Sequence, residues 1–296
     1  MRTCIIFNPT ARGDKARRFR AALQSIAAAV EMKPTTGPDT APAIAAAAVR
    51  EGFDVIVAAG GDGTVNEVVN GLMASGTGLA RCRLGVIPLG TVNVFAKELG
   101  LPGRVTAAWH VVTAGKETRL DLPWVEWEEA GLAQRRAFVQ LAGTGLDSRS
   151  IALVNWELKK KFGPLAYVWA GLAAMRGPQP KIRVIADGQD VTGELVLVGN
   201  GRYYGGYIPM FPGADLRDGQ LEVRVFPRVC WSALVGFGIR WLTRNPGIPA
   251  GQTYFRASKL ELRSVPPIPF ELDGDNVARL PAKFGVERQV LRVLVP

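Results

Sequence analysis

Histidine is almost absent from this chain: His110 is the only one in 296 residues. It sits in Ala107-Ala108-Trp109-His110-Val111-Val112, an apolar run that reads as a helix face. Chemistry built on a histidine base, whether a Ser-His-Asp triad or a Cys-His pair, therefore has no support. Cysteine is scarce too. Cys4, Cys82 and Cys230 are odd in number and too widely spaced for a zinc pattern. They suit small buried thiols in a reducing cytoplasm. No apolar run approaches the ~18 residues of a membrane-spanning helix, and Cys4 to Phe7 is too short for a signal peptide. Acidic residues are outnumbered, 26 against 36 Lys and Arg, which leaves a formal charge of +10. Helix-turn-helix, zinc-finger and RNP-type patterns are all missing, so nucleic acid is not the expected partner. An anionic membrane surface or a polyphosphate ligand accounts for the charge, and so does plain solubility.

What is present suits a globular protein of two domains, with 48% hydrophobic and 21% charged residues. The first 120 or so residues alternate strand-like and helix-like segments. Thr3 to Phe7, Asp54 to Ala58 and Arg83 to Pro88 read as strands; Lys15 to Val30, Thr40 to Arg50 and a run opening at Val94 read as helices. Strands spaced by helices predict βαβ units on a parallel sheet, with ligands at the carboxyl ends of its strands. Beyond that point the texture changes to short alternating strands, among them Ala137 to Ala142, Lys181 to Ala186, Glu194 to Val198, Leu221 to Phe226, Lys259 to Arg263 and Val290 to Val295. Helical insertions are expected at Asn155 to Met175 and at Trp231 to Thr243. The fold class is α/β plus β. A Rossmann-like parallel α/β domain is expected over residues 1–122 and an antiparallel β-sandwich domain over 123–296, with the last strand free to return to the first domain.

The most informative stretch is Ala59-Gly60-Gly61-Asp62-Gly63-Thr64-Val65-Asn66-Glu67. It follows a strand and opens a helix with Val68, Val69 and Leu72 on one face. Glycines let the backbone approach an anion, and the first amides of the helix point at it. The loop is neither a Walker A loop nor GxGxxG. It resembles the nucleotide loop, GGDGTxNE, of the diacylglycerol kinase catalytic-domain family, which includes sphingosine and ceramide kinases and bacterial lipid kinases. Further segments are similar to that family in the same order. They are Asn8-Pro9-Thr10-Ala11-Arg12, Ile87-Pro88-Leu89-Gly90-Thr91-Val92-Asn93 and Asn200-Gly201-Arg202-Tyr203-Tyr204-Gly205-Gly206, then Pro212-Gly213-Ala214-Asp215-Leu216-Arg217-Asp218-Gly219 and Leu272-Asp273-Gly274-Asp275.

The resemblance implies ATP as phosphoryl donor, Mg²⁺ as cofactor and a lipid hydroxyl as acceptor. Asp273 takes the place of the family's proton acceptor, orienting the hydroxyl and accepting its proton late. Asp275 stands where the family usually has Glu, as a second base or metal contact of shorter reach. Asp62 and Asp121 fill the places of carboxylates linked to catalytic Mg²⁺. ATP contacts are implied at Asn8, Pro9, Thr10, Arg12 and Thr35, at Gly60, Gly61, Asp62, Gly63, Thr64 and Val65 around the phosphates, at Asn66 and Glu67 near the adenosine, and at Thr91 and Asn93. Asp215, Asp218 and the backbone carbonyl of Gln220 match a turn that holds a structural Mg²⁺ in bacterial relatives. A solvated loop whose aspartates accept backbone N–H groups is the alternative. Many members continue Asn-Asp-Phe where this chain has Asn93-Val94, so one aspartate of the metal-linked network is missing.

Asp187-Gly188, between two plain strands, is expected to be an ordinary hairpin turn. The helix within Arg228 to Arg244 suits either a membrane interface or a place on the sandwich, and Lys159-Lys160-Lys161 is a second basic candidate. The expected protein is an ATP-dependent lipid kinase with diacylglycerol as first acceptor. It would be cytoplasmic and peripheral to the inner face of the membrane, with a homodimer left open. The rivals are an NAD kinase-like soluble enzyme and a catalytically silent nucleotide-binding membrane adaptor.

Overall fold

The computed structural model describes residues 2–9, 19, 21–22, 30–146, 148, 179–206, 208–230 and 251–296. Thr10, Arg12 and Lys159-Lys160-Lys161 lie outside the described residues, as do the insertions expected at Asn155 to Met175 and Trp231 to Thr243 and nearly all of Lys15 to Val30.

Continuous apolar runs make the central strands of the first half. β1 (Thr3–Phe7) and β3 (Val55–Gly60) are almost wholly buried, as strands of a parallel sheet covered on both faces must be. β2 (Glu31–Pro34) lies outside β1, and β4 (Arg83–Pro88) follows β3, in the parallel order β2-β1-β3-β4. Helix α1 (Ala41–Arg50) packs on α2 (Asp62–Ala74), and its alanines have a steric reason. A Cβ on Gly71 of α2 would lie 2.4 Å from the Pro42 carbonyl oxygen and 2.6 Å from Ala45 Cβ, so the two backbones nearly touch. Ala41, Ala45 and Ala48 join Val65, Val68, Val69 and Leu72 in one buried cluster. Three further helices follow, α3 (Gly78–Arg81), α4 (Val94–Glu98) and α5 (Val105–Ala114). His110 is exposed on α5.

The second half opens with β5 (Lys116–Glu129), β6 (Leu132–Ala137) and β7 (Leu141–Gly145). After them come β8 (Ile182–Ala186), β9 (Gln189–Gly193), β10 (Leu195–Gly199) and a small ribbon of β11 (Tyr203–Tyr204) and β12 (Ile208–Pro209). β13 (Leu221–Phe226), β14 (Thr253–Ala257), β15 (Lys259–Ser264), β16 (Pro269–Leu272), β17 (Asp275–Arg279) and β18 (Ala282–Val295) complete it. The expected strand Ala137 to Ala142 is two strands, because the amides at 139–141 are turned to another partner described below. Asp187-Gly188 is a two-residue hairpin joining β8 to β9, with Ala186 opposite Gln189.

β14-β13-β10-β7-β16-β17 form one antiparallel sheet. It packs on the β18-β15-β8-β9 part of a ten-stranded sheet. Phe138, Phe270, Phe284 and Trp127 meet edge to face in the core between them. That is the expected sandwich. The ten-stranded sheet also contains β1 to β4, because β18 lies beside β4 at Val293 and Leu84 and pairs with β5 along most of its length. β5 therefore runs through residue 122 without a break.

Candidate active site

The ends of β1, β3 and β4 adjoin, since Phe7 is level with Ala59 and Gly60 with Pro88. Asn8 and Pro9, the glycine loop and Thr91 consequently share one rim. Gly61 is extended, α2 starts at Asp62, and the first helical bond runs from Val65 N–H to the Gly61 carbonyl at 3.2 Å. The N–H groups of Asp62, Gly63 and Thr64 thus have no helical partner and point out of the helix start. Two glycines are required by contact. A Cβ on Gly60 would lie 2.3 Å from Thr64 Oγ1, and one on Gly90 would lie 2.6 Å from the Gly61 Cα. The two rim loops meet backbone to backbone there.

Several residues expected to touch nucleotide serve the scaffold in this structure. Asp62 Oδ1 accepts the Phe95 N–H at 3.1 Å, capping α4 from the neighbouring loop. Asn93 has φ 54° and closes its own turn, accepting the Gly90 N–H at 2.9 Å and donating to the Gly90 carbonyl at 2.7 Å. Both Glu67 oxygens accept amides at the start of α1, from Asp39 at 3.2 Å and Ala41 at 3.1 Å. Thr35 is buried, its N–H on the Phe7 carbonyl. Asn66 is buried and faces the sandwich: its Nδ2 donates to the Ala137 carbonyl at 3.1 Å and to Asp273 Oδ2 at 2.7 Å. The Asn-Glu pair thus reads as two latches, one to a helix and one to the second domain.

Asp273-Gly274 is the two-residue turn between β16 and β17, with positive φ at both residues. The Asp273 carboxylate is surrounded. Oδ1 accepts the N–H groups of Gln140 at 2.9 Å and Leu141 at 3.0 Å; Oδ2 accepts Val139 N–H at 2.8 Å and the Asn66 amide. Burial pushes its pKa up, and these four donors oppose that by fitting the carboxylate form. Asp275 follows on the exposed side of the turn. Its Oδ2 lies 3.6 Å from where a Gly63 Cβ would be, against the first turn of α2. Of the two, Asp275 is the carboxylate presented to the nucleotide loop.

Asp121, for which the resemblance implies a link to catalytic Mg²⁺, is sealed among backbone amides in this structure. It is 1% exposed, and its oxygens accept the N–H groups of Gly219 at 2.6 Å and Gln289 at 2.8 Å. The chain bends there to reach it: β18 carries a bulge between Glu287 and Leu291, and Gln289 has φ 53°. Burial pushes the Asp121 carboxyl up, against those two amides.

A second polar group closes the cleft and has no readable signal in the sequence. Glu98, at the end of α4, accepts from Gln140 Nε2 at 3.0 Å, from Arg202 N–H at 2.8 Å and from Arg202 Nε at 2.7 Å. Its three donor groups belong to two residues, Gln140 and Arg202, from two distant segments. The Asn200 to Gly206 loop is thereby tied to the rim, and a Cβ on Gly206 would lie 3.2 Å from Val92.

A parallel sheet whose helix-start amides are open, docked by a hairpin carboxylate from a sandwich, is suited to hold a polyphosphate. Residues 2–125 match the family model for the diacylglycerol kinase catalytic domain. Residues 140–295 match the YegS C-terminal NAD kinase beta sandwich-like domain. A diacylglycerol kinase of Staphylococcus aureus (strain bovine RF122 / ET3-1) is 32% identical over 256 residues, covering 82% of this chain and 75% of that protein. A crystal structure of a diacylglycerol kinase from Bacillus anthracis str. Sterne superposes with TM-score 0.76 at 23% identity, over 100% of this chain and 97% of that one. A second structure from that organism gives TM-score 0.80 at 24% identity, over 100% and 95%. The chain belongs to the diacylglycerol kinase catalytic-domain family, a family of lipid kinases.

Proposed function

We propose that this protein transfers the γ-phosphoryl group of ATP to a lipid hydroxyl, with diacylglycerol as the first acceptor. The observation that carries the reading is the docking of the Leu272-Asp273-Gly274-Asp275 turn on the start of α2. It sets a carboxylate against the amides that suit a polyphosphate. The open N–H groups of Asp62, Gly63 and Thr64 bind the phosphates, with Asn8 and Thr91 on the same rim. Asp275 orients the attacking hydroxyl and takes its proton as the bond to phosphorus forms. Asp273 fixes the turn that carries Asp275 and joins it to Asn66. Asp62 and Asp275 offer hard carboxylate oxygens at the phosphate end of α2, which suits a Mg²⁺ arriving with the nucleotide; when bound it neutralises phosphate charge.

The acceptor reaches the site from a membrane surface. No described helix is long and apolar enough to cross a membrane, and the formal charge of +10 favours an anionic one. Peripheral attachment at the cytoplasmic face is part of this proposal; the described contacts leave a homodimer open. The test is transfer of labelled γ-phosphate to a panel of diacylglycerol, phosphatidylglycerol, ceramide and a sphingoid base, with NAD in a parallel arm. Label in a lipid supports the reading. Label in NAD alone supports the NAD kinase alternative, and label in neither supports a silent nucleotide-binding adaptor.

A further inference from the structure

At the Asp215 to Gly219 turn, where the resemblance implies a structural Mg²⁺, the carboxylates are already met by guanidinium groups. Asp215 Oδ1 accepts the backbone N–H of Arg217 at 3.1 Å and its Nε–H at 3.2 Å. Asp218 Oδ1 accepts the Gln220 N–H at 2.9 Å, and Asp218 Oδ2 is ion-paired with Arg256. Arg256 stands on β14 opposite Glu222 of β13, and its Nε lies 3.1 Å from Glu222 Oε1. The other Glu222 oxygen accepts the hydroxyl of Tyr254. Glu222 is 1% exposed, as is Asp121 on the Gly219 amide below. Carboxylates crowd this corner, yet among the described residues no three His, Cys, Asp or Glu side chains are placed to hold a metal ion. Mg²⁺ requires near-octahedral oxygens at about 2.0–2.1 Å. A guanidinium seated on two of the carboxylates leaves that set unformed.

We propose that Arg256 is the built-in cation of this turn, standing in place of the divalent ion implied at Asp215, Asp218 and Gln220. The planar fork of arginine serves two carboxylates at once and keeps its charge at every working pH. It is ion-paired with the buried Glu222, whose other neighbours are the Tyr254 hydroxyl and the Arg224 guanidinium. The register of β13 and β14 fixes it there, so the turn needs nothing from solution. Divalent ions then serve the nucleotide and not the fold.

The test uses the nucleotide-free full chain and reads no activity. The thermal midpoint of the wild type is expected to be the same in excess chelator, Mg²⁺ and Ca²⁺, and Asp218→Asn is expected to show the same lack of response. Arg256→Met opens the acid cluster: its midpoint should fall in chelator and recover in Ca²⁺. Tb³⁺ held there would be excited through Tyr254, so sensitised emission should appear in Arg256→Met and vanish in Arg256→Met/Asp218→Asn. A wild-type midpoint that rises with Mg²⁺, with the rise lost in Asp218→Asn, would overturn the proposal. So would an Arg256→Met chain that keeps the wild-type midpoint and gains no metal response. If Arg256→Met does not fold, the wild type and Asp218→Asn still decide.

Discussion

In the proposed mechanism Asp273 holds the turn and Asp275 meets the attacking hydroxyl. An Asn at 273 turns an NH₂ group toward two N–H donors whichever way it is oriented, since each carboxylate oxygen accepts two. Asp273→Asn is therefore expected to lower the thermal midpoint as well as turnover. Asp275→Asn should fold and cut turnover by about 10²–10⁴-fold, the usual contribution of a general base. Asp187→Asn, in the plain hairpin, is the control for both measurements. Wild-type turnover in Asp275→Asn would remove it from the mechanism.

Titration separates two further carboxyl groups. Arg292 holds Glu117 below its ordinary 4.5, so that group stabilises the fold above its unfolded value and the gain is lost as pH falls through the depressed one. Asp121 has the opposite sign. Its raised pKa gives a contribution that is present below the ordinary 3.8 and lost as pH rises through the folded value. The midpoint gap between wild type and Glu117→Gln should thus be small at neutral pH, on the order of 1 kcal/mol or less for so accessible a pair. It should close as pH drops below 4.5. A gap that widens in acid would reverse the assignment.

At the residue scale the sequence marked the rim loops and the Asp273 turn, but not what their side chains hold in the fold. Asn66 and Glu67 look like ligands because they follow a glycine loop; nothing in one dimension shows that their partners are Ala137, Asp273 and the start of α1. The Glu98, Gln140 and Arg202 group was invisible for the same reason. None of the three has a neighbour in sequence that calls for it.

Elements were more legible, because each follows from local chemistry. The period of Val65, Val68, Val69 and Leu72 fixed one face of α2, and the buried apolar run fixed β3. What escaped was the contact between loops. Gly90 resembles any turn glycine, yet its Cα packs on that of Gly61. Gly90→Ala is expected to push the glycine loop aside and weaken ATP binding by about tenfold or more, equivalent to ~1.4 kcal/mol, while the fold persists. Gly37→Ala, with nothing within 4 Å, is the control. Calorimetric titration with ATP checks both, and equal affinities would show that the loop contact is not needed.

The molecule as a whole carries a formal charge of +10, and the acceptor proposed for it is a lipid. Vesicle binding is expected to rise with anionic lipid content and to fall as salt shortens the screening length to ~10 Å at 0.1 M. Equal sedimentation with neutral and anionic vesicles across a salt series would reduce the charge to a solubility device. The two-part architecture was readable from the switch between βαβ and alternating-strand texture. The return of the last strand to the first domain was allowed for, but no local signal in Ala282 to Val295 names β4 and β5 as its neighbours.

That shared strand sets an order of assembly. β18 comes after every other described strand, so a ribosome delivers it after them. Until then, among the described residues, β4 pairs only with β3 and β5 only with β6. The nascent protein therefore carries an open sheet edge until Ala282 to Val295 is made, a template for wrong pairing. A premature stop after Leu280 would leave the six-stranded sheet with all its strands and split the other into β2-β1-β3-β4, β5-β6 and β15-β8-β9.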